Sequence, residues 1–362
     1  MTRSTAPDGA ARRVVVSVLG GRPHLVKSCI VHQAFRRPDV VHLGLRAQIM
    51  DTADYPGPWE LSGLGVPPIH DLPGSADDPQ VSRMERSFEQ LGAGCVIVYG
   101  DLEASLNAAV AARNLGICVV HVEAGYRSGD WGDPEERTRL ALNKLARVHV
   151  AHSELMAKNL LADDVPEKDI HIFENPGFRL LSRVWPQVPD LPREGRRALV
   201  TLHRPENLDS DARLRAAVDG IIAVSELMDV TFITYATTLA ALRRHGDLNR
   251  LAQAPGVTLL PTSRYRDYVQ ELRSADLVIT DSSGVQDDCY FVRTPCLVLR
   301  RATPRPWVHR APEQVLCGPD RDLVQLVRQL RRGSLGPRTD ELGPQYGPDF
   351  ETLVLDRCRP RG

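Results

Sequence analysis

Five polar clusters in this sequence could carry chemistry, because each lies at the end of a short apolar run or in the turn that follows one. They are Gly20-Gly21-Arg22-Pro23-His24, Gly100-Asp101, the segment from His121 to Arg137, His203-Arg204, and Asp281-Ser282-Ser283-Gly284. Where such apolar runs form a parallel sheet, ligands bind outside the carboxyl ends of the strands. The spacing therefore predicts that these clusters line a binding or catalytic site.

Carboxylates and a histidine in these clusters are candidates for proton transfer. Asp101 would lie at the mouth of a cleft, although a helix N-cap explains an aspartate there equally well. Glu123 directly follows an apolar run, so its carboxylate is expected to be close to buried and to have either a charge or hydrogen-bond partner or a functional role. Glu136 lies in the first turn of a predicted helix, where an acidic residue interacts favourably with the helix dipole, so a structural role explains it. His203 fits a general acid, a phosphate contact or a structural histidine.

Two of the clusters could hold an anion. The amides and guanidinium of Gly20-Gly21-Arg22 could bind phosphate, but a glycine pair also serves as a plain turn. Asp281-Ser282-Ser283-Gly284 begins a predicted helix, which is how α/β proteins build a phosphate cradle from amides and hydroxyls. Asp288, one to two turns into that helix, could reach a ribose. A simple N-cap remains an alternative for Ser282 or Ser283.

The elements that must position these clusters form two successive α/β series. The first has predicted strands at Val14–Leu19, Val40–Leu43, Cys95–Val98, Val119–Val122 and Val148–Ala151, with helices such as Ala104–Leu115 and Glu135–Leu145 between them. The second has predicted strands at Ala198–Leu202, Val230–Tyr235, Val257–Leu260, Leu277–Thr280 and Pro295–Leu299. Strands that alternate with helices imply βαβ units and parallel sheets. The predicted fold class is therefore α/β, with two Rossmann-like domains and a cleft between them.

A proline-rich segment at 184–197 has the composition of a hinge between the two series. We therefore predict an N-terminal Rossmann-like domain at 1–183 and a C-terminal, nucleotide-binding one at 184–335. The remaining tail, 336–362, is expected to return across the domains and to include a short helix at Phe350–Leu355.

The composition excludes several classes of protein. At about 100–200 residues per domain, 362 residues suggest two domains. The 45 basic and 46 acidic side chains give a formal net charge of -1, so nothing in the bulk charge favours nucleic acid or an anionic membrane as a partner. Any bound anion must be held locally.

The cysteines and the apolar runs bear on the compartment. The seven cysteines are far apart and form no CxxC pair or zinc-binding spacing, which predicts reduced thiols and no metal site. No apolar run has the length of a signal peptide or of a membrane span. We therefore expect a cytoplasmic protein.

Taken together, the motifs resemble a known family. The order GGRPxxxK, GD, HVEAGxRSGD with PEE, HRPEN and TDSSGxQDD resembles the non-hydrolysing UDP-N-acetylglucosamine 2-epimerase family over about residues 14 to 310. The resemblance implies a GT-B fold with the nucleotide held mainly by the C-terminal domain. It also implies a UDP- or GDP-linked sugar as substrate, no cofactor or metal, and a homodimer.

The resemblance also assigns site residues by position. The family's catalytic carboxylates fall on Asp101, Glu123 and Glu135, and its catalytic histidine falls on His203. The resemblance implies that nucleotide and diphosphate contacts come from Arg22, Arg204, Ser282, Ser283, Gly284 and Asp288. In that family the diphosphate leaves C1 while C2 loses a proton, and both return after C2 is protonated from the other face.

Several departures from the family pattern surround the substrate. Leu45-Arg46 stands where a Gln-His pair is associated with an activating nucleotide sugar, so that control is not expected here. His24 replaces a glutamate, Asp287-Asp288 replaces the ribose-binding Glu-Glu, and Trp307 is expected at the rim. These changes keep an alternative open, a GT-B glycosyltransferase that moves the sugar to an alcohol or thiol acceptor in secondary-metabolite or antibiotic biosynthesis.

Overall fold

The computed structural model describes residues 12–47, 64–75, 77–189, 195–262, 264–318, 321–330 and 336–358. These residues form two compact units. The first takes in the described residues up to Leu180 and those from Leu342 onwards, and the second takes in the described residues of Leu181–Glu341. Among the described residues, no helix is long and apolar enough to cross a membrane.

Each unit is built on one parallel sheet. The strands of the first sheet are β1 Arg13–Leu19, β2 Val40–Arg46, β3 Ile69–Asp71, β4 Ala93–Tyr99, β5 Cys118–Val122, β6 Val148–Ala151 and β7 Ile170–Ile172. The strands of the second are β8 Arg197–Leu202, β9 Asp229–Thr234, β10 Val257–Pro261, β11 Leu277–Thr280, β12 Cys296–Leu299 and β13 Gln314–Cys317. Helices cover the sheets, so the central strands are buried and consist of nearly continuous apolar residues.

The helices follow the strands in alternation. In chain order they are α1 Arg22–His32, α2 Gln80–Leu91, α3 Glu103–Asn114, α4 Pro134–Leu145, α5 Glu154–Ala162, α6 Pro176–Val184, α7 Pro205–Leu208, α8 Asp211–Ser225, α9 Ala236–Arg244, α10 Leu248–Gln253, α11 Tyr265–Ser274, α12 Ser283–Val292, α13 Leu323–Gln329 and α14 Pro348–Arg357. This alternation confirms the predicted class of two Rossmann-like α/β domains.

The strand order explains why the polar clusters matter. The first sheet runs β3-β2-β1-β4-β5-β6-β7 and the second runs β10-β9-β8-β11-β12-β13. In both, the order reverses between two neighbouring central strands, β1 and β4 in the first and β8 and β11 in the second. In open α/β sheets the ligand binds at the carboxyl ends of the strands where the order reverses. Gly20-Gly21 and Gly100-Asp101 follow the first pair, and His203-Arg204 and Asp281-Ser282 follow the second.

The C-terminal helix α14 belongs to the first unit. Its Phe350 is fully buried, and the carboxylate of Glu351 accepts hydrogen bonds from the backbone amides of Arg36 and Arg37, both at 3.0 Å. A disulfide joins Cys118, the first residue of β5, to Cys358, which caps α14; their Cα atoms are 5.1 Å apart.

The disulfide corrects the prediction that all cysteines are reduced. A separation of 240 residues hides the pair in the sequence. The sulfur of Cys95, on the strand beside Cys118, lies within 4.8 Å of both bonded sulfurs, and this cysteine is a free thiol. Sequence spacing alone could not bring these three residues together.

We expect the Cys118–Cys358 bond to hold α14 in place. The variant Cys358→Ser should be less stable than the wild type by about 2–4 kcal/mol, because the open chain gains conformational freedom on unfolding. Urea unfolding without reductant checks this value, and hydrogen exchange should show faster exchange of the α14 amides. The variant Cys317→Ser, at a buried free thiol of the second unit, is the matched control. Equal α14 exchange in the wild type and Cys358→Ser would contradict the prediction.

Candidate functional site

The first unit gathers three predicted catalytic carboxylates near the carboxyl ends of its central strands. Asp101 comes two residues after β4, Glu123 directly follows β5, and Glu135 lies in the first turn of α4. The sequence begins α4 there because Asp133 caps the helix, accepting from the amide of Glu135 at 2.9 Å, and Pro134 fits the first helical position. We call these three side chains the carboxylate cluster.

Arg139, between one and two turns into α4, joins two members of the cluster, Asp101 and Glu135. Its guanidinium donates to Asp101 through Nε at 2.7 Å and contacts Glu135 at 3.3 Å and Glu136 at 2.8 Å. The guanidinium side chain is only 4% exposed, whereas Asp101 and Glu135 keep 20% and 17% of their side-chain surface. These two carboxylates are therefore positioned by a buried cation and still open to a ligand. No motif in the sequence pointed to this role for Arg139.

Asp101 is not an N-cap, so the alternative explanation of this residue is wrong. Helix α3 starts at Glu103 with Leu102 at its cap, and no side chain caps it. Gly100 before Asp101 has a φ of 57°, and its carbonyl accepts from Nε2 of His121 at 2.8 Å. That left-handed conformation turns the chain out of β4.

Glu136 is a structural residue, as the helix-dipole explanation implied. It is fully buried and accepts from Arg127 at 2.8 Å and from the amide of Ser128 at 2.9 Å. Burial alone would raise the pKa of Glu136, but the Ser128 bond and the charges of Arg139 and Arg127 hold that pKa below its usual value. This carboxylate fixes the loop before α4.

Glu123 is buried, as predicted, and its partner is Lys27 of α1. The ammonium donates directly to Oε2 of Glu123, and the two side chains are 11% and 3% exposed. A buried carboxylate requires such compensation. The backbone of Glu123 has a φ of 74°, a left-handed conformation that costs on the order of 1–3 kcal/mol for residues other than glycine. Backbone strain of this kind is concentrated at functional sites, which favours a functional role for Glu123.

The second unit places His203 against a buried aspartate. Asp281, with no exposed surface, accepts from the backbone amides of His203 and Arg204, both at 3.0 Å, and from the side chain of Asn207 at 2.9 Å. Nδ1 of His203 lies 3.3 Å from Oδ1 of Asp281. Burial lowers the pKa of His203, and the charge of Asp281 partly offsets that effect.

A cationic cradle surrounds the start of α12. The hydroxyl of Ser283 accepts from Nη2 of Arg204 and from Nη1 of Arg300, each at 3.2 Å. Arg300, only 5% exposed, also pairs with Glu206 at 3.2 Å. Ser282 caps the helix by accepting from the amide of Val285 at 3.4 Å, so the N-cap alternative is correct for Ser282. Two guanidiniums at a helix N-terminus suit a diphosphate.

Gly284 leaves open space at the same helix start, because a Cβ there would meet nothing closer than 3.9 Å. Arg22 is half-buried at the first position of α1 and belongs to the first unit. The structure therefore groups Arg204, Ser282, Ser283 and Gly284 but does not bring Arg22 into their unit. Arg300 is a residue that sequence reasoning missed, because it lies 17 residues beyond Ser283.

The two aspartates that replace the family's Glu-Glu differ in their surroundings. Asp287 is 5% exposed and accepts from Nε of Arg305 at 2.8 Å and from the indole of Trp307 at 2.6 Å. It is therefore a packing residue. Asp288 is half-buried and accepts from the hydroxyl of Tyr268 at 2.8 Å.

Trp307 does not lie at the rim, so that expectation is wrong. The side chain is 2% exposed and stacks on Tyr290 with ring centroids 4.0 Å apart and planes 7° apart. Its bond to the buried Asp287 explains the burial, because an indole N–H inside a protein usually finds an acceptor.

Two buried histidines make the fold sensitive to acid. Burial, helped by the charge of Lys27, lowers the pKa of His24 to about 4, and burial with His149 lowers that of His121 to about 4. In the unfolded chain these two histidines take up protons near pH 6.5, whereas in the folded protein they stay neutral down to about pH 4. Their contribution to the free energy of unfolding is therefore fully present above pH 6.5 and is lost as the pH falls towards 4.

Each of these two histidines should lower the free energy of unfolding by about 2 kcal/mol between pH 7 and pH 5. Urea titrations at the two pH values measure the difference. The variant His121→Gln should shrink it, whereas His309→Gln, at an exposed position, should leave it unchanged. Equal stability of the wild type at both pH values would contradict this prediction.

Comparison with known proteins identifies the family. The sequence profile described as UDP-N-acetylglucosamine 2-epimerase matches residues 79–340, which is most of the chain. The chain belongs to the UDP-N-acetylglucosamine 2-epimerase family. The predicted enzyme class, a nucleotide-sugar epimerase, is thereby confirmed.

Two individual relatives are also named as nucleotide-sugar 2-epimerases. The UDP-N-acetylglucosamine 2-epimerase of Methanocaldococcus jannaschii is 29% identical over 248 residues, 64% of this chain and 67% of the relative. The UDP-2,3-diacetamido-2,3-dideoxy-D-glucuronate 2-epimerase of Pseudomonas aeruginosa is 26% identical over 351 residues, 92% of this chain and 95% of the relative.

Solved structures show the same fold. The crystal structure of the M. jannaschii enzyme in complex with UDP-GlcNAc and UDP has a TM-score of 0.78 at 23% identity, covering 94% of this chain and 99% of that one. The Neisseria meningitidis enzyme bound to UDP-GlcNAc has a TM-score of 0.73 at 21% identity, covering 87% and 91%. The similar proteins named here are all epimerases, so the comparisons do not favour the glycosyltransferase alternative.

Proposed function

We propose that this protein inverts the configuration at C2 of a UDP-linked 2-acylamino sugar, with UDP-N-acetylglucosamine as the first substrate to test. The observation that carries the proposal is the carboxylate cluster with its buried cations. Asp101 and Glu135 share Arg139, and Glu123 is paired with Lys27. Moving a proton from one face of C2 to the other takes two acid/base groups, which this cluster can supply.

The bond changes balance without an added reactant. The C1–O bond to the diphosphate breaks, the C2 proton passes to a carboxylate of the cluster, and a glycal remains beside the nucleoside diphosphate. A second carboxylate then protonates C2 from the opposite face, and the diphosphate oxygen adds back to C1. The departing diphosphate gains negative charge, which Arg204, Arg300 and the amides at the start of α12 would stabilise.

In this proposal His203 and Asp288 bind the nucleotide part of the substrate. His203, held against Asp281, would donate to a diphosphate oxygen, and Asp288 would accept from a ribose hydroxyl. The predicted contact of Arg22 with the diphosphate remains part of the proposal. The homodimer, the cytoplasmic location and a role in secondary or antibiotic metabolism remain predictions from the sequence.

A relative that aligns with 92% of the chain suggests a second sugar. The P. aeruginosa enzyme is named for a 2,3-diacetamido glucuronate, and its match covers 92% of this chain. That sugar also carries a 2-acylamino group, so the same chemistry at C2 applies. We therefore include it beside UDP-N-acetylglucosamine in the substrate panel.

Incubation in heavy water tests the function directly. The purified protein is mixed with UDP-N-acetylglucosamine, the diacetamido glucuronate and GDP-sugars, and C2 of the recovered donor is examined by NMR and mass spectrometry. Deuterium at C2 together with the C2 epimer is the expected result. Binding of a donor with no exchange at C2 would overturn the proposal. Release of nucleoside diphosphate that depends on an added alcohol or thiol would instead favour glycosyl transfer.

A further inference from the structure

His24 is a buried histidine of the first unit for which the proposed reaction has so far supplied no role. It lies in the first turn of α1, and Lys27 lies three residues later on the same helix. Residues three apart share a helix face. Since Lys27 reaches Glu123, the face that carries His24 is turned towards the carboxylate cluster. The imidazole is only 3% exposed.

Nε2 of His24 and the carboxylate of Glu123 lie beside the same residue, Gly100. A carbon atom added at the Cβ position of Gly100 would lie 3.1 Å from Oε2 of Glu123 and 3.8 Å from Nε2 of His24. Gly100 itself precedes Asp101 at the point where the strand order reverses. Both atoms are therefore neighbours of this glycine, and a sugar bound next to Gly100 would lie within reach of both side chains.

Hydrogen bonding fixes which nitrogen carries the proton. Nδ1 of His24 accepts from the backbone amide of Gly20 at 3.2 Å, so the neutral ring has its proton on Nε2. Burial and the charge of Lys27 lower the pKa of His24 to about 4, which keeps the ring neutral at physiological pH. The nitrogen that faces the space beside Gly100 is therefore an uncharged N–H donor.

We propose that His24 is a substrate-contacting residue that donates a hydrogen bond from Nε2 to an oxygen of the sugar near the carbon on which Glu123 acts. This inference rests on the proposed function. The acceptor is a hydroxyl or acyl oxygen close to that carbon, because Nε2 of His24 and Oε2 of Glu123 are neighbours of the same glycine, Gly100. A neutral imidazole can polarise such an oxygen without adding charge beside the Lys27–Glu123 pair.

Two substitutions separate this role from mere packing. His24→Ala should lower kcat/KM by about 10²-fold, in the range for loss of one positioned donor. His24→Gln keeps an uncharged donor and should recover activity to within about 10-fold of the wild type. His32→Gln, at the other end of α1, is the control and should match the wild type in kcat/KM.

Calorimetry supplies a readout that packing alone would not move. We compare the Kd of UDP with the Kd of the donor from the panel that the wild type binds. In His24→Ala the donor should bind about 10-fold more weakly while UDP binds as before. An unchanged ratio of the two Kd values, or a ratio that changes as much in His32→Gln, would overturn the inference.

The outcome for His24 is distinguishable from that of the proposed function. Donor binding without C2 exchange in the wild type would remove the epimerase proposal, and the Kd ratio would still decide the role of His24. Failure of the wild type to bind any donor would remove both.

Discussion

The variant Glu123→Gln is expected to lose about 10²–10⁴-fold in kcat, the usual contribution of a general acid or base. Glutamine has nearly the same shape as glutamate but neither takes up nor delivers a proton at neutral pH. Glu123 is 3% exposed and bonded to Lys27, so the geometry of the site should be kept. Deuterium incorporation at C2 and kcat measure the loss. Full activity would show that the chemical role belongs elsewhere.

The same substitution should also destabilise the protein, because it leaves the ammonium of Lys27 buried without its charge partner. Removing one member of a buried ion pair typically costs about 3–5 kcal/mol. The double variant Lys27→Met/Glu123→Gln removes both charges and should recover much of that stability. It should not recover turnover. Urea unfolding beside kcat therefore separates the structural function of the pair from the chemical one, and parallel recovery of both would contradict a chemical role for Glu123.

The central strands could be predicted from the sequence because burial on both faces demands continuous apolar runs. The runs at Val14, Cys95, Val119 and Val148 each fall within one of the observed strands. Three of the four edge strands were missed, because only the central strands require such runs; the fourth, β10, was predicted at Val257–Leu260. β3, β7 and β13 are short and lie at or near the edges of their sheets, and two of them contain a histidine between apolar or acidic neighbours.

The candidate site was predictable where a residue directly follows a strand, and was not where a partner comes from far along the chain. Asp101, Glu123 and His203 could be selected by position alone. Arg139 reaches Asp101 across 38 residues and Lys27 reaches Glu123 across 96, so no local pattern could reveal these two pairings. Trp307 was misplaced because its acceptor, Asp287, lies 20 residues away.

The variant Asp281→Asn should reduce kcat by about 10²–10⁴-fold through its effect on His203. The carboxylate accepts from two backbone amides and from Asn207, and its Oδ1 lies 3.3 Å from Nδ1 of His203. An asparagine has one acceptor oxygen and no charge, so the His203-Arg204 backbone loses one of its two acceptor bonds and the imidazole loses its anionic neighbour. A general acid of this kind typically contributes about 10²–10⁴-fold, which sets the size of the expected loss.

Asp276→Asn is the matched control for this substitution. Asp276 and Asp281 flank the same strand, β11, at its two ends, and both are buried. Asp276 accepts from the amide of Arg197 at 3.0 Å, at the end of the sheet away from the cradle. Both variants should be less stable in urea, because each replaces a buried carboxylate that accepts from backbone amides by a side-chain amide with one acceptor oxygen fewer. Only Asp281→Asn should lose kcat.

The pH dependence of Asp281→Asn gives a second, independent signature. The negative charge of Asp281 raises the pKa of His203 against the larger lowering by burial. Without that charge the pKa of His203 falls further, so the protonated ring persists only at lower pH. If protonated His203 assists departure of the diphosphate, the limb of the kcat profile that falls with rising pH must shift towards acid in the variant. A loss of kcat with no such shift would mean that Asp281 acts by holding the His203-Arg204 backbone rather than by supporting the charge on the imidazole.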